Sequence, residues 1–323
     1  MPLCTLKQAL EEARKGHYAL GAFNVNNMEQ IQGIIAAAAE TKSPVIIQAS
    51  RGALKYTELN YLKHMILAAV ELHPEIPVVL HLDHGDSLET AKTAILLGFT
   101  SVMIDASSKP YEENVRITKE VVEYAHAFGV SVEAELGTLG GIEEDVSGVV
   151  KLTDPKQATE FVAATGVDAL AVAIGTSHGA YKFKSTPVLA IDLVETISKA
   201  TEKPLVMHGS SSVPQEILAD INKYGGKMPD AQGVPIPAIQ NAIERGVCKV
   251  NVDTDSRMAM TATIRKIFTE QPGVFDPREY LGPAREATKQ LVMSKMRDFG
   301  TAGHAGDYVP ISLEEAKKTY YGL

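Results

Sequence analysis

The sequence predicts a single (β/α)8 barrel, a TIM barrel, with extended βα loops and a C-terminal extension, on three observations. Eight short β-rich runs recur along the 323 residues, each ending in polar or small side chains. Segments of helical periodicity separate them, several closed by a glycine at the C-terminal stop position. No Pro/Ser/Gly-rich linker divides the chain. Near-continuous apolar strands alternating with amphipathic helices mean a parallel sheet covered by helices. Eight such units fit one closed barrel better than a doubly wound open sheet with a second domain.

In chain order the runs are ALGAFNVNN (19–27), PVIIQAS (44–50), PVVLHLDHG (77–85) and SVMIDAS (101–107). VSVEAELG (130–137), DALAVAIGTSHG (168–179), PLVMHGSSS (204–212) and CKVNVDTD (248–255) complete the set. Between them, MEQIQGIIAAAAE, SLETAKTAILLG, YEENVRITKEVVEYAHAFG and PAIQNAIERG carry the apolar spacing of helices with one buried face. The opening MPLCTLKQALEEARK reads as an amphipathic helix without the apolar core of a signal peptide. Three connections exceed what a barrel needs, at 138–152, 223–235 and 270–284; long glycine-containing excursions of this kind often serve as lids or contact loops. Residues 1–323 are expected to form one domain, with about 301–323 as the extension beyond the barrel.

Composition narrows the function. An apolar content of 45% supports a substantial core. The formal charge of −9, with no Lys/Arg run, argues against a nucleic-acid surface. No apolar run approaches the ~20 residues of a membrane-spanning helix. Cys4 and Cys248 lie far apart without metal-type spacing, which points to reduced thiols in a cytoplasmic protein.

Catalytic residues of such a barrel come from the carboxyl ends of its strands. Here those ends offer Asn24 and Asn26, Gln48 and Ser50, Asp83 and His84, and Asp105. The second half of the chain adds Glu133 and Glu135, Ser177 and His178, His208 and Ser211, and Asn251 and Asp253. His84, His178 and His208 therefore fall on one barrel mouth, although no short motif such as HExxH joins them. Three neutral imidazoles with an open position make a catalytic zinc set, and nearby carboxylates can orient them. Asp83 and His84 can share a site only if the strand twists as it ends, a role suited to Gly85. His81, in mid-strand, reads as a hydrogen-bonded interior residue, and His17, His64, His73, His126 and His304 as solvated surface.

Phosphate binding leaves its own trace. Ser212, followed by Pro214, is placed to cap a helix after strand seven, and Asp255 or Ser256 to cap one after strand eight. Free backbone amides at helix starts favour anions, and the loops after strands seven and eight are the usual phosphate site of this barrel. Arg257 and Lys182 can supply positive charge.

LDHGDS, SVMIDAS, VEAELGTLGGIEED, AVAIGTSHGAYKFK, VMHGSSSVP and KVNVDTDSRMAM together resemble the class II, metal-dependent fructose-bisphosphate aldolases, particularly the branch shared with tagatose-bisphosphate aldolases. The similarity runs from GAFNVNN to about FGTAGHAG, nearly the whole chain. The resemblance implies reversible zinc-dependent cleavage of fructose 1,6-bisphosphate, a reaction of glycolysis and gluconeogenesis, with tagatose 1,6-bisphosphate as the alternative substrate. It places zinc on His84, His178 and His208, with Asp83 as the base on the substrate hydroxyl. Asp105 and Glu135 would stand beside the ion or offer a second position for it. Glu143, with Glu144 next to it as the other candidate, would return a proton to carbon 3. Asn24, Ser50, Asn251 and Asp253 would contact the sugar, and Gly179, Lys182, Gly209, Ser211, Ser256 and Arg257 one phosphate. Arg278 resembles an arginine that reaches the other phosphate from a neighbouring subunit, which implies a homodimer or larger assembly. The family also implies a monovalent cation, Na+ or K+, near the first phosphate. One departure stands at the rim of strand four, where Ser108 and Lys109 follow Ser107 in place of the family's usual histidine after serine.

Three other readings fit these residues less well. A Schiff-base aldolase needs a buried lysine on a strand, and the strand ends carry none. A barrel metal hydrolase would want two histidines where strand one has NVN. A noncatalytic sugar-phosphate sensor would have no need of Asp83.

Overall fold

The computed structural model describes residues 3–143, 146–147, 150–179 and 189–322. Eight parallel strands, Leu20–Asn24, Val45–Ser50, Val78–Gly85, Ser101–Ile104, Ser131–Leu136, Ala169–Val172, Leu205–Met207 and Val247–Val252, pair in chain order. The eighth pairs back onto the first, Lys249 beside Leu20 and Val252 beside Phe23, so the sheet closes. The predicted barrel is therefore present. Closure leaves its strands no free edge.

Side-chain alternation explains how one barrel holds both a core and a site. Outward-facing Ile47, Val78, Leu80, Leu82, Val132 and Val250 bury against the surrounding helices. At the N-terminal end the inward positions are apolar: Ala22, Ile46, Val79, Met103, Ala169 and Val206 pack with Leu6, Ala9 and Leu10 of the helix Leu6–Gly16, which plugs that end. Two residues further along five of these strands the inward series turns polar, to Asn24, Gln48, His81, Asp105 and His208, while Ala171 keeps the sixth apolar. A period of two thus places a greasy floor beneath a polar mouth.

The structure refines several expected boundaries. Strand six stops at Val172, and Ser177–His178 form a separate short strand paired with Gly140–Gly141 of the excursion after strand five. That excursion is not a plain loop: Gly140–Glu143 and Val146–Ser147 pair antiparallel. The segment expected as a connection at 270–284 already turns helical at Pro277, where Asp276 caps the long helix Pro277–Asp298. Beyond the barrel, the helix Leu313–Tyr321 packs Tyr320 flat on His126, ring centroids 3.6 Å apart, and its hydroxyl donates to Asp168 at 3.2 Å. His126 is accordingly half-buried and bonded to Asp168 rather than solvated, and His304 stacks on Tyr18.

Candidate active site

Asp83 and His84 share the barrel mouth because the backbone breaks its alternation between them. His84 has a φ of 48°, a left-handed conformation uncommon for a residue with a Cβ. The pairing with strand four slips at the same place, between Leu82 and Gly85. This bulge, on the histidine itself, turns both side chains toward the mouth. Gly85 serves close approach instead: a Cβ there would meet the Met103 carbonyl oxygen at 2.5 Å. Gly85→Ala is expected to lower stability by about 1–3 kcal/mol through overpacking. Thermal unfolding of the metal-free protein checks this, and an unchanged midpoint would show that strand four yields easily.

Two carboxylates fix which ring nitrogens face the mouth. His84 Nδ1 lies 3.0 Å from Asp105 Oδ2, and His208 Nε2 lies 2.7 Å from Glu133 Oε1. An ionised carboxylate only accepts, so both of these nitrogens carry protons and donate. The opposite nitrogens, His84 Nε2 and His208 Nδ1, then face each other 3.0 Å apart. His208 Nδ1 also accepts from Asn251 Nδ2 at 3.0 Å, so His84 Nε2, which faces the same nitrogen, must carry or share a cation. In the bare chain that cation is a proton: burial works against a charged His84, but Asp83, Asp105 and Glu135 outweigh it and raise the imidazole to about 10. Burial first, then the neighbouring charges of His84 and Lys249, hold His208 below its ordinary range despite Glu133. A divalent ion would satisfy both lone pairs in place of the proton, so the donor set fits zinc. His178, buried, stands beside them with its ring centroid 5.2 Å from His84 and 6.3 Å from His208.

Potential ligand atoms gather most closely in two groups, Asp83 with His84 and His208, and His84 with Asp105 and Glu135, each within 4.8 Å. Glu135 is pushed well above the usual carboxylate range by burial and by Asp105, and its Oε2 has no hydrogen-bond partner among the described residues. Asp83 is held the other way. Burial pushes its carboxyl up, yet His84, His208 and Lys249 outweigh that and keep it ionised below the ordinary range. Asn24 Nδ2 donates to its Oδ2 at 2.9 Å, Gln48 Nε2 to the same oxygen at 3.2 Å, and Asn251 Nδ2 to Oδ1 at 3.3 Å. Ser50, beside Asp83 in the sheet, caps the helix Arg51–Thr57 through its hydroxyl.

Beneath this layer lies a residue the strand-end reading passed over. Lys249, wholly buried on strand eight, pairs with Glu133 Oε2 at 2.9 Å and approaches His81 Nε2 at 3.4 Å. The barrel therefore does contain a buried strand lysine. Glu133 Oε1 is the same residue's other oxygen, the one that holds His208. Burial, and next the Lys249 charge, drive His81 down to about 3, so it is neutral, with Nδ1 bonded to Ser101 Oγ at 2.8 Å. The sequence signal was the inward parity that Lys249 shares with Asn251 and Asp253.

The loops after strands seven and eight come together as expected, but not through the expected caps. Helix Gln215–Lys223 has no side-chain cap, and helix Thr254–Glu270 has none from Asp253, Asp255 or Ser256. Ser212 and Asp255 bond to each other instead. Asp253 is engaged by Arg257, Nε to Oδ1 at 2.8 Å and NH2 to Oδ2 at 2.6 Å, while its own amide donates to Ser211 Oγ at 3.3 Å. The wholly buried Ser256 hydroxyl has no hydrogen-bond partner among the described residues. Gly209, at φ 60°, lets the strand-seven loop lie on Ser177, where a Cβ would come within 2.7 Å of the carbonyl oxygen. Gly179 follows His178 at φ 82°. Lys182 and Glu144 lie outside the described residues, as does the side chain of Glu143, whose backbone ends the strand Gly140–Glu143. The Arg278 side chain is 90% exposed and pairs with Asp276 two residues away, rather than with the site residues above.

The closed barrel gathers histidines and carboxylates at the carboxyl ends of its strands into groups that could hold a metal ion, the arrangement of a barrel enzyme. Residues 4–304 match the family described as fructose-bisphosphate aldolase class-II, and the chain belongs to that family. It is 68% identical over 322 residues to a fructose-bisphosphate aldolase of Giardia intestinalis, covering 99% of this chain and 100% of the relative. A fructose-bisphosphate aldolase of Nostoc commune is 50% identical, with 99% and 96% covered. Among solved structures, the YdjI aldolase from Escherichia coli K12 superposes with a TM-score of 0.78 at 35% identity, covering 94% of this chain and 99% of that one. A fructose-bisphosphate aldolase from Campylobacter jejuni, at 23% identity and a TM-score of 0.72, covers 93% and 96% and speaks to the fold alone.

Proposed function

We propose that this chain cleaves fructose 1,6-bisphosphate reversibly to dihydroxyacetone phosphate and glyceraldehyde 3-phosphate, with zinc held by His84, His178 and His208. The observation that carries the metal reading is the pair of imidazole nitrogens 3.0 Å apart, each turned there by a carboxylate on the far side of its ring, with Asn251 also bonded to that of His208. When bound, the ion supplies Lewis-acid charge next to the electrons left on carbon 3. Asp83, ionised and steadied by Asn24, Gln48 and Asn251, takes the proton from the carbon 4 hydroxyl. Glu143 returns a proton to carbon 3. Asp105 holds His84, and with it and Glu135 offers a second position for the ion.

Asn24, Ser50, Asn251 and Asp253 contact the sugar in this reading. Gly179, Lys182, Gly209, Ser211, Ser256 and Arg257 hold one phosphate, with Na+ or K+ beside it. The exposed Arg278 suits a partner's second phosphate, and so a homodimer or larger assembly. The named relatives favour fructose over tagatose bisphosphate. We read the chain as one cytoplasmic barrel domain over 1–323; among the described residues no helix is long and apolar enough to cross a membrane.

Cleavage measured with a coupled enzyme should vanish on treatment with a chelator and return with zinc. Borohydride added during turnover should trap no substrate on the protein. Because Lys249 is a buried strand lysine, chelator-resistant activity with trapping at Lys249 would replace this mechanism by a Schiff-base one.

A further inference from the structure

Asp255 is a carboxylate with no exposed surface and four donors. Its Oδ2 accepts from Ser212 N at 2.9 Å, Ser212 Oγ at 3.0 Å and Lys295 Nζ at 2.9 Å, and its Oδ1 accepts from Val213 N at 2.8 Å. Lys295, 4% exposed near the end of the helix Pro277–Asp298, also donates to Ser212 Oγ at 2.5 Å. Three elements meet at this one group: the loop after strand seven, the start of the helix after strand eight, and the long C-terminal helix.

The loop it holds is strained. Val213 has a φ of 50°, and a β-branched residue in the left-handed region costs about 1–3 kcal/mol unless its surroundings impose it. The amide of Val213 is the one that Asp255 takes. A second packing contact closes the loop from the other side: Val234 N donates to Ser211 O at 3.1 Å, and a Cβ on Gly233 would fall 2.3 Å from that oxygen. Asp255 is flanked by Asp253, which binds Ser211 through its amide, and by Ser256, whose buried hydroxyl lacks a partner among the described residues. A carboxylate in the first turn of a helix would ordinarily serve that helix's own amides. Here it is spent on the neighbouring loop, and the helix start stays uncapped.

We infer that Asp255 and Lys295 are positioning residues for the phosphate site. They bind the loop of Gly209, Ser211 and Ser212 to the helix start at Ser256, so that both sets of amides converge on one anion. Neither residue touches the phosphate. This inference rests on the functional reading above and deepens it.

The test uses the zinc-loaded full chain with inorganic phosphate as the probe, its affinity read by calorimetry, and fructose 1,6-bisphosphate for turnover. Lys295→Met and Asp255→Asn should weaken phosphate binding and raise KM about 10-fold or more, the size of a lost charge-assisted hydrogen bond. kcat and zinc content should stay within about threefold of wild type, because the groups at the reacting carbons are untouched. Lys295→Arg should restore KM, which a merely structural defect would not allow. If Asp255→Asn does not fold, Lys295→Met decides. Unchanged phosphate affinity in folded Lys295→Met, or no phosphate binding by the wild type, overturns the inference. A wild type that binds phosphate but cleaves no bisphosphate would sink the functional reading, while the loss in Lys295→Met still supports the clamp.

Discussion

Asp83→Ala is expected to lower kcat for fructose 1,6-bisphosphate by about 10³-fold, within the range a positioned general base supplies. The reason is the environment of that carboxylate. It is 5% exposed, yet ionised, because two imidazoles and Lys249 outweigh its burial and three amide side chains donate to it. No other described carboxylate has that set of partners: Asp105 and Glu133 are each occupied with a histidine, and burial with Asp105 beside it pushes Glu135 well above the usual carboxylate range. Asp83→Asn separates base from scaffold, since an amide fills the same space and cannot take a proton. A coupled assay on fructose and tagatose bisphosphates, with zinc content measured in parallel, reads the outcome. Equal turnover by either zinc-loaded variant would remove Asp83 from the proton transfer, and retained KM in Asp83→Asn would show that the pocket survived.

Much of this site could be read from the chain because a barrel converts sequence position into spatial position. Once eight strands are recognised, their last residues must share one rim, so His84 and His208 were found although 124 residues separate them. What escaped had a different cause. Lys249 lies inside a strand, and only its parity distinguishes it from an outward-facing neighbour; the apolar context of VCKVNV masks a charge that the barrel buries with Glu133. The partner that makes burial tolerable sits 116 residues away, where no local pattern reports it. Asp255 escaped for a similar reason. Its position invites a helix cap, and only the fold shows that loop amides after strand seven claim it first. The bulge at His84 was half legible: two functional side chains in succession demand a break in alternation, and Gly85 marked the place but not the residue that bends.

Lys249→Met should have the largest effect on the folded state. Removing one partner of a buried ion pair leaves the other uncompensated, which costs roughly 3–5 kcal/mol. Here both side chains have no exposed surface, so Glu133 cannot turn to water. It would take up a proton instead, and a protonated carboxyl no longer obliges His208 to carry its hydrogen on Nε2. Once His208 adopts the other tautomer, the Nδ1 lone pair facing His84 is gone. Zinc affinity should therefore fall by about 10–100-fold, as when the partner of a metal-binding histidine is lost. The two effects come apart in Glu133→Gln/Lys249→Met, where neither charge is left buried. Stability should largely return, because replacing a whole buried pair by neutral groups is often harmless. Affinity should stay below wild type, since an amide oxygen accepts from His208 without lending it a full negative charge. Chemical denaturation of the metal-free proteins and zinc competition against a chromophoric chelator give the two numbers. If Lys249→Met kept both stability and zinc, the pair beneath the rim would be a passive filling of the barrel, and His208 would owe its orientation to strand seven and to Asn251.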